Sequence, residues 1–504
     1  MKIAFVPIDN RPVCYTLPKL ISQINGGIEF FLPERSLLGD LENIANIQGL
    51  FDWLRGLSKL DALVLSLDTL AYGGLIPSRR CPETFDEIKS RIEKLKEILV
   101  EKECKIYAFS SIMRISNNNY NQEEKEYWSK WGKKIFDYSF QTHKLGCESC
   151  ITNIIPSEIL DDYIATRKRN FEINKIYLKW QKEGLFDTLI FSKDDCAEYG
   201  FNVQEAKFLE ELGGFTKTGA DEIPLSLLSR AISGEIKICP IFLEPNSKDL
   251  ISNYEDVSIE KSVQGQIELA GGKLASEDDA DILLYVNNFV DHQGEIVMGV
   301  NTESFEGKFI VPDRAYMIAD VRFANGADNN FVGELFKNNL DENFYGYSAW
   351  NTSANSLGSL ICGAKVKYFA KKFNQNAFKK LQITRFLDDW AYQANVRQTL
   401  SEPDVDKLTT GMKEFEEVIE NILKTEVNVN YIYPWKRLFE VEVEFNWYCF
   451  TCNSFGYWLP CCFIFTRFDF QRSKSEIFTS SCFDYGCISR LYANNWICWN
   501  GLFV

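Results

Sequence analysis

The chain has 504 residues, 45% of them hydrophobic, and a formal charge of −16. That length exceeds one ordinary domain and supplies a large core, while an acidic surface repels phosphate backbones and sets nucleic acid aside as a partner. No uninterrupted apolar run approaches the roughly 20 residues of a membrane span, and the opening MKIAFVPIDNRP lacks the apolar core of a signal peptide, so a cytoplasmic protein without membrane partners is expected.

Short apolar runs recur along the chain, each stopped by polar residues and followed by an amphipathic stretch. In order they are KIAFVPIDNRP, IEFFLP, DALVLSLDTLAYGG, CKIYAFSSIMR, FDTLIFSKDD, IKICPIFLEP, ADILLYVNNF, AYMIADVRFANG and NFYGYSAWNT. Their Val, Ile, Leu, Phe and Tyr content reads as strands buried on both faces, the mark of a parallel sheet. Between them, PETFDEIKSRIEKLKEILVEK places Ile88, Ile92, Leu95 and Ile98 on one helical face. NIANIQGLFDWLRGL and VQEAKFLEELGG do likewise. Alternating strands and helices predict an α/β fold with a mostly parallel sheet, barrel-like, with an open doubly wound sheet as the alternative.

Residues 1–445 read as a single large α/β domain, with a helical insertion at about 120–186. Residues 446–504 differ: they hold four of the eleven Trp, seven of the fifteen Cys and only seven charged residues. With no helical or strand periodicity, this tail is read as an atypical, poorly ordered segment, such as an out-of-frame translation yields. Ahead of the tail, Cys147–Cys150 is the lone CxxC pair, with no second pair there to complete a zinc site, and is read as free thiols. With two histidines in the chain, His143 and His292, His-rich metal sites and most Ser-His-Asp chemistry are hard to build. His292, beside Asp291, is read as a hydrogen-bonded structural residue.

The polar residues at the strand ends carry the functional reading, because parallel α/β folds bind ligands at the carboxyl ends of their strands. The first strand ends on Asp9, Asn10 and Arg11. The third ends on Asp68, followed by Tyr72 and Arg79; the fourth runs to Arg114; the fifth ends on Asp194 and Asp195. Later ends carry Asn287, Asp320, and Trp350 with Asn351, and Asn355 follows in WNTSANSLGS, which is expected to open a helix capped by Thr352 or Ser353. Each alone serves as well for a cap or turn; seven ends delivering such groups to one rim predict a site. Carboxylates, amides, arginines and aromatic rings together suit a small, hydroxyl-rich, sugar-like ligand. GxGxxG, GxxxxGK[ST] and GxSxG motifs are missing from the places where they would carry chemistry.

The neighbours Asp194 and Asp195 admit three readings: an acid/base pair, oxygen ligands for a divalent cation, or caps for the following helix. The first makes the protein a carbohydrate-active, glycosidase-like hydrolase with Asp194 and Asp195 catalytic, needing no cofactor. In it Asp9, Arg11, Asp68, Tyr72, Arg79, Arg114, Asn287, Asp320, Trp350, Asn351 and Asn355 hold substrate. A metal-dependent hydrolase or phosphotransfer enzyme, in which a divalent cation enters, and a non-catalytic sugar- or metabolite-binding protein are the alternatives.

The stretches FVPIDNRPVCYTLP, LSLDTLAYGGLIPSR, SIMRISNNNYNQEEKEYWSKWG, SKDDCAEYG, GADEIPLSLLSRA, ADVRFANGAD, YGYSAWNTSANSLGS, LDDWAYQANVRQ and YPWKRLFEVE resemble, in order, the motifs of the bacterial domain of unknown function 4127 family. The resemblance covers about residues 1–445 and implies no activity. SKDD at a strand end, with LLYVNNF two strands on, is similar in arrangement to hexosaminidase-type glycosidases, in which an adjacent aspartate pair acts on the substrate.

Overall fold

A computed structural model describes residues 1–401 apart from 150–153, 195, 339 and 341, and residues 409–410, 417, 420 and 425–449. The chain divides into two compact units: Met1–Lys407 with Tyr433–Glu442, and Leu408–Ile432 with Val443–Val504. In the second unit, Thr409–Thr410 and Thr425–Ile432 pair antiparallel. Residues 450–504, most of the Cys-rich tail, lie outside the described residues, as do Cys150 and Asp195.

In the first unit the chain runs β1 (Lys2–Val6), α1 (Pro12–Gln23), β2 (Glu29–Phe31), α2 (Ile47–Gly56), β3 (Ala62–Ser66), α3 (Leu67–Tyr72), α4 (Leu75–Arg80), α5 (Phe85–Val100), β4 (Lys105–Ile112), α6 (Trp128–Leu145), α7 (Ser157–Lys182), β5 (Thr188–Lys193), α8 (Phe201–Glu211), β6 (Thr216–Thr218) and α9 (Ile223–Ala231). It continues β7 (Ile236–Phe242), α10 (Ile259–Leu269), β8 (Gly272–Leu274), β9 (Ile282–Asn287), β10 (Gly294–Glu295), β11 (Tyr316–Asp320), β12 (Phe323–Ala324), α11 (Asn329–Leu335), β13 (Phe344–Ser348), α12 (Ser353–Tyr368) and α13 (Gln375–Arg385). The nine apolar runs of the sequence are β1, β2, β3, β4, β5, β7, β9, β11 and β13.

These strands form two open parallel sheets, β2-β1-β3-β4-β5-β6 and β8-β7-β9-β11-β13. The doubly wound alternative is therefore the one adopted, and among the described strands no barrel closes. Counted within each half, both sheets follow the order 2-1-3-4-5, with one strand added to the first. This is the flavodoxin-like winding, which opens a crevice where the strand order reverses. No repeat is visible in the sequence, so the duplication of topology is seen only in three dimensions.

Burial on both faces accounts for the strands: Ala4, Val6, Leu63, Leu65, Ile106, Ala108, Leu189 and Phe191 pack into one core with Ile88, Ile92 and Leu95 of α5 and Ile173, Tyr177 and Leu178 of α7. The second helix of the long insertion thus also serves as the β4–β5 crossover. A capping box starts α5, with Glu87 N donating to Thr84 Oγ1 at 3.4 Å and Thr84 N to Glu87 Oε2 at 2.7 Å. Gly73 (φ 89°) and Gly74 (φ 140°) turn α3 into α4 through backbone that side chains disfavour, which carries Arg79 inward.

The sheets share a helical layer. The buried α9 packs on β3, β4 and β5 of the first sheet and against α10 and α12 of the second. It is apolar nearly all round, as a helix with neighbours on both sides must be. Its serines are satisfied there: Ser226 Oγ donates to Gln266 Oε1 at 3.2 Å and Ser229 Oγ to Ala270 O at 3.0 Å. Among the described residues no helix is long and apolar enough to cross a membrane.

Candidate functional site

One cavity of about 240 Å³ lies at the carboxyl ends of both sheets, within the first unit. Asp9, Arg11, Arg114, Asp194, Asn351 and Asn355 line it together, although they span most of the unit.

Arg11, just beyond β1, is held rather than free. Its Nε donates to both oxygens of Asp9 (3.0 and 2.9 Å), and its Nη1 and Nη2 reach Asp221 at 3.2 and 2.6 Å. Its guanidinium lies 5.2 Å from the Trp435 ring, which Arg437 approaches at 5.1 Å, and Trp435 Nε1 donates to Asn10 Oδ1 at 2.7 Å. Burial pushes the Asp221 carboxyl up, against the pull of Arg11. With its donors spent on two buried carboxylates, Arg11 is a strut joining the β1 loop to the approach to α9.

A second charge cluster forms beyond β4 and β5. Arg114 reaches Glu123 at 2.7 Å, Glu124 at 3.0 Å and Asp194 at 3.5 Å. Arg79 lies beneath, 3.3 Å from Glu124 and 3.9 Å from Asp194. Burial opposes ionisation of Glu123, but Arg114, Arg437 and Arg79 overcome it and hold this carboxyl well below the usual range. Asp194 thus faces two guanidiniums, and beside it Lys193 pairs with Asp256 at 2.6 Å.

The opposite wall comes from the second sheet. Thr352 caps α12, accepting from Asn355 N at 3.3 Å. Ala354 N, in the first turn, donates to Glu255 Oε1 at 2.7 Å. The other oxygen of Glu255, Oε2, is buried without a hydrogen-bond partner, and so are Asn355 Oδ1 and Asn325 Oδ1. Burial raises the Glu255 carboxyl above its ordinary value. Tyr254, Asn325 and Asn351 adopt left-handed backbone, with φ of 66°, 61° and 59°. Lys59 and Lys436 are the other such non-glycine residues among those described. Three of five therefore gather at this cavity, and strain of this kind concentrates at functional sites.

The structure does not bring every predicted residue to the cavity. Asp68 is buried, accepting from Ser111 N at 2.8 Å, and burial raises its carboxyl to about 7. Tyr72 is buried beneath the Arg169 guanidinium, 5.4 Å from its ring. Arg79 supports the wall without lining it. Asn287 Nδ2 donates to Asp320 at 2.8 Å, and Asp320 also accepts from Tyr347 Oη at 3.0 Å and Asp328 N at 2.9 Å. Burial lifts Asp320 to about 7. Trp350 packs 5.8 Å from Phe439. These residues shape the loops behind the cavity. Asp195 lies outside the described residues. Among the described residues no three of His, Cys, Asp and Glu are grouped so as to hold a metal ion.

Sequence reasoning missed Glu255, Asn325, Glu295, Arg397 and Trp435, which also line the cavity. Asn325 and Trp435 stand inside conspicuous stretches, FANG and YPWKRLF. Glu255 sits in the long loop between β7 and α10, where no strand end marks it.

Two parallel, doubly wound sheets with a cavity at their shared carboxyl edge define a doubly wound α/β protein. The chain belongs to the family described as protein of unknown function (DUF4127), whose model matches residues 3–444. No curated protein and no solved structure matches the chain.

Proposed function

We propose that the cavity is the active site of a carbohydrate-active hydrolase. The observation that carries this reading is a pair of cavity carboxyl groups in opposed surroundings. Glu255 is buried and makes no ion pair among the described residues, and its burial outweighs the pull of Lys217 and favours the protonated form; Asp194 faces Arg114 and Arg79, which favour the carboxylate. Carboxyl groups whose environments differ in this way divide the acid and base roles of glycoside hydrolysis. In this scheme Glu255 donates its proton to the leaving glycosidic oxygen as the C–O bond breaks. The Asp194 carboxylate takes a proton from the attacking water, whose oxygen bonds to the anomeric carbon, and proton exchange with solvent restores both groups.

The wall chemistry supports a sugar. The buried, unpartnered oxygens of Asn325 and Asn355 seek hydroxyl donors. The volume lies just below the roughly 300–1,000 Å³ of typical small-molecule sites, so one sugar unit fits better than a chain. A panel of aryl glycosides tests the proposal, read both as released phenol and as thermal shift. Turnover is expected, and Asp194→Asn and Glu255→Gln should each lower kcat by about 10²- to 10⁴-fold with melting temperatures near that of the parent. Ligands that raise the melting temperature without turnover would make this a binding protein. Variants that keep full turnover would remove Asp194 and Glu255 from the chemistry.

A further inference from the structure

Resting on the sugar-site reading above, we infer that Arg397 recognises an anionic substituent, so that the ligand is an acidic sugar unit bearing a carboxylate, sulfate or phosphate.

The cavity holds arginines of two kinds. Arg11 and Arg114 each touch two or more carboxylates. Arg397 lines the same cavity, and among the described residues it ion-pairs with no carboxylate. Among the described residues its one side-chain hydrogen bond runs from Nη1 to Gln393 Oε1 at 2.9 Å, and its guanidinium lies 5.4 Å from the Phe439 ring. The acids nearest in charge are engaged elsewhere. Glu440 pairs with Arg437, Asp388 pairs with Arg385 at 3.1 Å, and Glu295 accepts from Asn325 Nδ2 at 2.5 Å and from the Val297 backbone at 3.3 Å.

The support for Arg397 is built. Gln393 Nε2 donates to Asp388 Oδ1 at 3.2 Å and to Phe439 O at 3.3 Å. That fixes the amide so that Oε1 points to Arg397 and cannot turn away without losing both bonds. The guanidinium is therefore held in place with Nε and Nη2 carrying no hydrogen bond among the described residues. Burial depresses the charged form of Arg397, as expected of a cation whose partner arrives with the ligand. A planar guanidinium with two donors on one side matches the oxygens of a carboxylate, sulfate or phosphate. The amide oxygens of Asn325 and Asn355, which need donors, would face hydroxyls of the same ligand.

Binding of paired probes to the full-length protein tests this: glucuronate and galacturonate against glucose and galactose, and glucose 6-phosphate and glucose 6-sulfate against glucose, each by calorimetric titration. An anionic probe is expected to bind about 10- to 100-fold more tightly than its neutral partner, the size of a charge-assisted hydrogen-bonded contact. Arg397→Met should collapse that ratio towards one, and Arg397→Lys should keep part of it; melting temperatures of both variants establish that they fold. Equal affinity for neutral and anionic partners, no binding of any anionic probe, or a ratio that survives Arg397→Met would overturn the inference. Turnover of neutral glycosides without anionic preference would defeat this inference alone. Anionic preference with no glycoside turned over would defeat only the hydrolase reading.

Discussion

At the scale of single residues, Arg11 shows how an arginine at a strand end becomes structural. A guanidinium offers five donors in a rigid fork, and here Asp9, Asp221 and the Trp435 ring surround it. Replacing it with Met leaves two buried carboxylates facing each other without a cation. Arg11→Met is expected to destabilise the protein by about 3–5 kcal/mol, the cost of breaking a buried ion pair by removing one partner. Urea unfolding checks this; a loss below about 1 kcal/mol, the range of exposed pairs, would show that the strut is dispensable.

At the scale of elements, the contact between α9 and α12 holds the two sheets together. A Cβ on Gly358 would lie 2.7 Å from Glu222 Cγ and 2.8 Å from its Cβ, inside any real contact distance. The helices approach closely because Gly358 has no side chain, and Glu222 begins the α9 end of that approach. Gly358→Ala should therefore cost about 1–3 kcal/mol through overpacking, outweighing the helix propensity it gains. The same exchange at Gly333 of α11, where an added Cβ meets nothing within 4 Å, should be neutral or stabilising. Thermal unfolding of the two variants distinguishes a packing effect from a general effect of glycine.

At the scale of the whole molecule, buried acids set the pH dependence. Burial raises Asp68 and Asp320 to about 7 and Glu222 to about 8. Each takes up a proton on folding between its unfolded value near 4 and its folded one. That stabilisation is complete below the unfolded value and is lost as pH rises through 7 to 8. Glu123 behaves oppositely, as does Asp256, which Lys193 holds down against burial; their contribution is present above the unfolded value and lost as pH falls. The melting temperature should therefore decline between about pH 5 and pH 9, and Glu222→Gln should flatten that decline. Calorimetry across the range decides; a melting temperature that rises with pH there would contradict these assignments.

Much of the architecture was legible in the sequence. Strands buried on both faces announce themselves as continuous apolar runs, so the nine runs mark nine strands, and the stripe Ile88, Ile92, Leu95 and Ile98 marks α5. The helix opening at Ser353 behind Thr352 follows from local cap chemistry. The β6 and β8 strands, three residues each, are too short to show a period. Of the strand-end residues, the sequence could name Asp9, Arg114 and Asn351 for the rim because parallel strands share one carboxyl edge. It could not say that Asp68, Asn287 and Asp320 turn inward to satisfy loop backbone, since the same side chains at the same strand ends serve either purpose. Nor could it separate the paired Arg11 from Arg397, which ion-pairs with no carboxylate among the described residues. Local propensity and burial act within a few residues and are written into the chain in order. The partners of a charge, the left-handed bends at Asn325 and Asn351, and the meeting of Glu255 with Asp194 in one cavity arise between segments far apart in the chain. Only the packing of the two sheets through α9 and α12 decides them.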